Sequence, residues 1–110
     1  MDLNIKRRWV EALRSGNYKQ GTMYLRDQES GYCCLGVLCD VIRPDGWGFH
    51  DEKEDVSQPH VFSDGGDEQL SPASRDFFGI PEEIHRELID MNDAQGKNFS
   101  EIADYIEEYL

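Results

Sequence analysis

The longest apolar run in the chain is Tyr32–Ile42, YCCLGVLCDVI, broken only by Gly36 and Asp40. From Leu35 onward its apolar positions recur at Leu38, Val41 and Ile42, with Val37 alongside. That is the spacing of a helix rather than the alternation of a strand. Upstream, Met23-Tyr24-Leu25 and Tyr32-Cys33-Cys34 flank a turn-like Glu29-Ser30-Gly31, the pattern of a short hairpin. The stretch thus predicts a strand that runs into a helix near Cys34–Leu35. Gly36 permits a close backbone approach or a bend there. Arg43-Pro44-Asp45-Gly46 stops the helix, because proline has no N–H to give and glycine suits the turn that follows.

The same pattern predicts helices on both sides. Residues 3–14 carry an apolar stripe of Leu3, Trp9, Val10 and Leu13, with Asp2 or Asn4 as cap and Gly16 as a left-handed stop. Ser71-Pro72 opens a short helix anchored by Phe77 and Phe78 and closed by Gly79. Pro81-Glu82-Glu83 opens the next, which buries Ile84, Leu88 and Met91, sets His85 at the boundary and gives way to a turn over Asn92–Gly96. Asn98-Phe99-Ser100-Glu101 is a capping box for a last helix with Phe99, Ile102, Ala103, Ile106 and Tyr109 or Leu110 inward. Glu107 and Glu108 lie near the negative end of that helix and call for basic partners, which the arginines of the first helix can supply.

Residues 43–69 lose the helical period and collect Pro44, Pro59, Gly46, Gly48, Gly65, Gly66 and many acids. They read as a long loop, or as a loop carrying short edge strands at Trp47–His50 and His60–Ser63. A loop of this length in a small domain is usually functional or mobile. Trp47, Phe49, Val61 and Phe62 are its anchors. The expected fold is α+β: about four short helices packed on a small antiparallel hairpin or sheet, one domain over residues 1–110, with a long acidic loop at 44–70. The predicted core contains Trp9, Leu13, Leu25, Cys34, Leu35, Leu38, Val41, Phe77, Ile84, Leu88, Phe99, Ile102 and Ile106.

Charge alters the picture of the surface. The net charge is −12, but residues 1–26 carry Lys6, Arg7, Arg8, Arg14, Lys19 and Arg26 against Asp2 and Glu11, a balance of +4. The other 84 residues therefore carry −16. Such a body repels phosphate backbones, so no nucleic-acid partner is expected. It suits a solvated acidic surface or one that recognises a basic partner. The basic residues of the first helix form either a solvated face balancing the last helix or an anion site built with Lys19 and Arg26. No stretch approaches the roughly 20 apolar residues of a membrane span, so no membrane partner is expected. Three cysteines in an apolar run, without an apolar signal core, point to reduced thiols in a cytoplasm.

Two segments carry a resemblance. YCCLGVLCD over Tyr32–Asp40, with Trp9–Gly16 and Tyr18–Gly21 before it, and Met91-Asn92-Asp93 with GKNFSEIADYI over Gly96–Ile106, resemble a family of small phage and prophage proteins. The resemblance implies an accessory protein acting in a bacterial host cytoplasm; it carries no catalytic residue with it. Gly96–Ile106 is also similar to the first helix of many helix-turn-helix domains, but this helix is acidic where such domains meet DNA.

For chemistry, a thiol nucleophile needs a lowered pKa and a histidine base. Cys33 or Cys34 at the strand-to-helix junction, with His50 or His60 from the loop and Asp64 or Asp67 to orient it, is the arrangement this sequence allows. No protease or hydrolase string surrounds them, and small core groups are the commoner role of such cysteines. Cys33, Cys34, Cys39, His50 and His60 lack zinc spacing, the acidic loop runs lack calcium-loop spacing, and no phosphate loop is present. No metal or cofactor is expected. The first function class is a non-catalytic binding protein that engages a host protein or a small ligand through Trp47 and Phe49 with Arg7, Lys19 and Arg26. The alternative is a cysteine-dependent enzyme using Cys33 or Cys34. A third class is a structural subunit, for which a homodimer is the simplest form.

Overall fold

In the computed structural model the described residues are 1–27, 31–48, 61–62 and 68–110. The elements run α1 (Leu3–Arg14), β1 (Arg26–Asp27), β2 (Gly31–Tyr32), α2 (Cys34–Ile42), a single 3₁₀ turn (Pro44–Gly46), β3 (Trp47–Gly48), β4 (Val61–Phe62), α3 (Pro72–Phe78), α4 (Glu82–Asp93) and α5 (Phe99–Tyr109). The class is α+β, with five α-helices among the described residues rather than about four. The strands form two separate antiparallel ribbons, β1 with β2 and β3 with β4. Because each ribbon is two residues deep, the helices pack chiefly on one another.

The helix boundaries follow from local chemistry. Asp2 Oδ1 accepts from the N–H of Asn4 and Ile5, at 2.9 and 3.1 Å, and so starts α1. Asn98 and Glu101 complete their reciprocal capping box at the head of α5. Ser71 caps α3 and Gly79, at φ 74°, closes it in the left-handed region. Each such cap contributes about 1 kcal/mol.

α2 is the hub. Cys34, Leu35, Val37, Leu38 and Cys39 are all fully buried, with Trp9 of α1, Leu88 of α4 and Ile102 and Ile106 of α5 around them. Gly36 shows why the run needs its glycine. A Cβ there would stand 1.6 Å from the Leu25 carbonyl oxygen, so the chain at Leu25 passes directly over the helix backbone. Leu25 itself is fully buried, and its carbonyl accepts from the Cys33 N–H at 3.2 Å.

Several expectations are corrected. The hairpin pairs Arg26 with Tyr32 and Asp27 with Gly31, not Met23–Leu25 with Tyr32–Cys34. Met23 instead adopts φ 76° and the Tyr24 N–H reaches back to the Thr22 carbonyl at 2.9 Å, a strained γ-turn. Phe77 is 55% exposed, under the guanidinium of Arg43 at 5.1 Å, while its neighbour Phe78 takes the core; adjacent helical residues cannot face the same way. Val41 and Ile84 are only half-buried, and Leu3 is exposed. The inward face of α4 is rotated to His85, Leu88, Met91 and Asn92, and the helix continues through Asn92 instead of turning. His85 is therefore buried, with Nε2 accepting from the Leu70 N–H at 3.2 Å. Within the 44–70 stretch the described part is ordered around the 3₁₀ turn and the β3–β4 ribbon, in register Trp47 with Phe62 and Gly48 with Val61. That agrees with the edge-strand form of the loop. No helix among the described residues is long and apolar enough to cross a membrane.

Candidate binding site

Asp40 is a carboxylate set inside an apolar helix, and its partners define a site. At the C-terminal end of α2 its Oδ2 accepts from the Tyr18 hydroxyl at 2.7 Å and its Oδ1 from Trp47 Nε1 at 3.1 Å. Tyr32 lies edge-on to both rings, 5.0 Å from Tyr18 and 6.3 Å from Trp47. The Arg26 guanidinium sits 5.5 Å from the Tyr32 ring and 5.4 Å from the Trp47 ring. All five residues are half-buried. Tyr18 is pushed well above the ordinary tyrosine range, by burial first and then by its hydrogen bond to Asp40; Tyr32 is raised by burial and then by the same carboxylate. Both phenols thus stay protonated donors at neutral pH.

The backbone that presents this cluster is fixed from two sides. Tyr32 donates its N–H to the Lys19 carbonyl at 2.9 Å and accepts from the Gly21 N–H at 2.7 Å, beside its pairing with Arg26. Gly31 is required at the approach, since it has φ 104° and a Cβ would meet the Lys19 carbonyl at 2.3 Å. Of the residues expected to bind, Arg26 and Trp47 come together here, with Lys19 supplying backbone to the same platform. Arg7 is on another surface, in a groove of α1 that also touches Glu107. Phe49, His50, His60, Asp64 and Asp67 lie outside the described residues.

The N-terminal end of α2 is built in the opposite manner. Cys33 is its N-cap but makes no side-chain cap bond. The cap comes from across the fold: Asn92 Oδ1 accepts from the Cys34 N–H at 3.2 Å and from Gln20 Nε2 at 3.0 Å, while Asn92 Nδ2 donates to the Gly21 carbonyl and to Asp93 Oδ1. Asp93 Oδ1 also accepts from the Met23 N–H at 3.0 Å and so holds the γ-turn. Trp9 Nε1 donates to the Cys34 carbonyl at 2.9 Å. Cys33, Cys34 and Cys39 are free thiols, all buried. Burial pushes the Cys33 thiol up to about 12 and holds the Cys34 and Cys39 thiols well above the ordinary range. An attacking thiolate is therefore disfavoured at all three positions. Among the described residues no group of three His, Cys, Asp or Glu side chains is placed to hold a metal.

The sequence reading missed Tyr18, Tyr32 and Asp40 as site residues, and Asn92 as a structural one. The signal for Asp40 was present: a charge inside an apolar helical run requires a partner. Asn92 falls four residues after Leu88, on the same helical face, which is the only hint of its burial.

A family model matches the whole chain, residues 1–110, and it is described as a domain of unknown function (DUF8296). The chain belongs to that family. Comparison with curated proteins and with solved structures finds no match. Membership assigns no chemistry to any residue.

Proposed function

We propose that this protein is a non-catalytic binding protein, a small acidic accessory protein of phage type. It acts on a host protein in the bacterial cytoplasm, with Arg26, Tyr32 and Trp47 as the anchor. The observation that carries the reading is the Asp40 cluster. Arginine, tryptophan and tyrosine are the residues that dominate binding energy at protein interfaces. Here they are held in place before any partner arrives, which spares the ordering cost of association. The acidic body around them favours a partner with a basic surface and speeds encounter with it.

The test is capture from bacterial lysate by the purified protein and by Trp47→Ala and Arg26→Ala. One stoichiometric host protein held by the wild type, released at high salt and lost with both variants is the expected result. Equal capture by the variants sinks the reading. A small molecule released on denaturation would move it to the small-ligand form. The cysteine-dependent enzyme has no observation in its favour. Its own test is thiol labelling of the folded protein at neutral pH: rapid modification of one cysteine would revive it, and slow modification of all three is expected.

A further inference from the structure

Away from the Arg26 cluster, α1 and the C-terminal part of α5 enclose an open groove of about 510 Å³. That volume falls within the ~300–1,000 Å³ range of small-molecule clefts. The helices run antiparallel, since Arg14 reaches Ser100 and Asp104 while Lys6 Nζ donates to the Glu107 carbonyl at 3.2 Å. Val10 supplies a buried apolar surface and Leu3 an apolar side that is 72% exposed, the most exposed large hydrophobic residue among the described residues.

The charges along the groove are not equivalent. Arg14 is spent on Asp104 at 2.7 Å and Glu107 at 3.4 Å. Lys6 is bonded to a neutral carbonyl, and Arg7 has no hydrogen-bond or ion-pair partner among the described residues. Two adjacent cations without a carboxylate thus stand beside an uncovered leucine, on a protein whose net charge is −12. Glu11 and Glu107 also line the groove, so a second negative charge on a ligand would be repelled.

We infer that this groove binds a free fatty carboxylate, its single negative charge on Arg7 and Lys6 and its chain over Leu3 and Val10. The head group would make charge-assisted hydrogen bonds, and the chain would remove Leu3 from water. The inference goes beyond the host-protein reading and uses none of the residues of the Arg26 cluster.

The experiment is titration of the full chain with decanoate below its micellar range, followed by backbone amide NMR shifts. Saturable shifts confined to α1 and the end of α5 are expected. Arg7→Gln, on an exposed side chain, should keep the native spectrum and weaken binding by about tenfold, as should replacing decanoate by decan-1-ol. Decyl phosphate, with its second charge, should bind more weakly than decanoate. Equal binding of decan-1-ol, unchanged affinity in Arg7→Gln, non-saturating shifts or shifts elsewhere would each overturn the proposal. No host protein enters the assay, so its failure leaves the Arg26 cluster reading standing.

Discussion

The two ends of α2 lie about 12 Å apart on one nine-residue helix, and they have opposite characters. At the first end the polar groups of the Cys33–Cys34 backbone are bonded inside the fold. The Cys34 N–H goes to Asn92, the Cys34 carbonyl to Trp9, and the thiols are sealed. At the second, Asp40 faces rings that are half-exposed, and Arg8 reaches in from α1 to bond the Val41 carbonyl at 2.9 Å, meeting the negative end of the helix with a cation. Two of the three thiols, Cys33 and Cys34, sit at the closed end; Cys39 lies beside Asp40 but is fully buried, so the groups that reach the surface at the open end are the carboxylate, the rings and the guanidinium. The comparison teaches that residue type alone does not say which groups of an apolar helix stay accessible; the neighbours of each end decide that.

The closed end can be broken most severely at Gly36. Gly36→Ala drives a methyl group into the Leu25 backbone carbonyl, and neither partner is a flexible side-chain end that can move aside. Loss of the native fold, by about 4 kcal/mol or more, is expected from denaturant unfolding and circular dichroism. A variant that unfolds at the wild-type midpoint would show that the crossing is not close-packed.

Asn92→Ala tests the trans cap. It strands the Cys34 N–H and the Gly21 carbonyl at once and leaves Gln20 Nε2 only the Lys97 carbonyl, for a cost of about 3 kcal/mol in urea unfolding. The open end should lose little, so the near-ultraviolet dichroism of Trp47 and Tyr18 should persist below the transition. Collapse of both signals together at low urea would mean that the two ends are not separable.

His85 gives the closed side a pH signature. Its folded pKa is lowered to about 4, by burial first and then by Arg75. The unfolded chain, with an ordinary pKa near 6.5, therefore takes the proton first. The stability held by neutral His85 is complete above about pH 6.5 and is lost as pH falls towards 4, by about 3 kcal/mol. His85→Gln keeps an acceptor for the Leu70 N–H and should flatten this part of the profile relative to wild type. Parallel profiles for the two proteins would remove the assignment.

The smallest effect is expected at the open end. Asp40→Ala leaves the Tyr18 hydroxyl and Trp47 Nε1 to bond water, so unfolding should move by only about 1 kcal/mol. Its larger consequence is local: Tyr18 should titrate closer to an ordinary tyrosine, because a hydrogen bond and a nearby negative charge that hold it protonated are gone. An unchanged ultraviolet titration would show that burial alone sets that group.

Much of the architecture was legible along the chain because it is decided within one or two helical turns. The caps at Asp2, Ser71 and Asn98, the stop at Gly79, the helix through Leu35–Ile42 and the short strands beginning at Trp47 all depend on near neighbours, and all were read from residue type and spacing. That arginines of α1 would meet the acids at the end of α5 was also foreseen, from charge sign and the helix dipole; the structure makes Arg14 and Glu107 the pair. What only the tertiary structure decided is which face of an ambiguous helix turns inward and which polar groups meet over long sequence separations. His85 and Asn92 displaced Ile84 on the buried face of α4 because Leu70, Gln20, Gly21 and Cys34 offered them hydrogen bonds. A buried polar group is allowed only where such partners arrive from elsewhere in the chain. Asp40, Tyr18, Arg26, Tyr32 and Trp47 became one site for the same reason. Each has an ordinary role when read alone, and only the folding of β1 and β3 beside the end of α2 puts a carboxylate, three rings and a guanidinium within contact of one another.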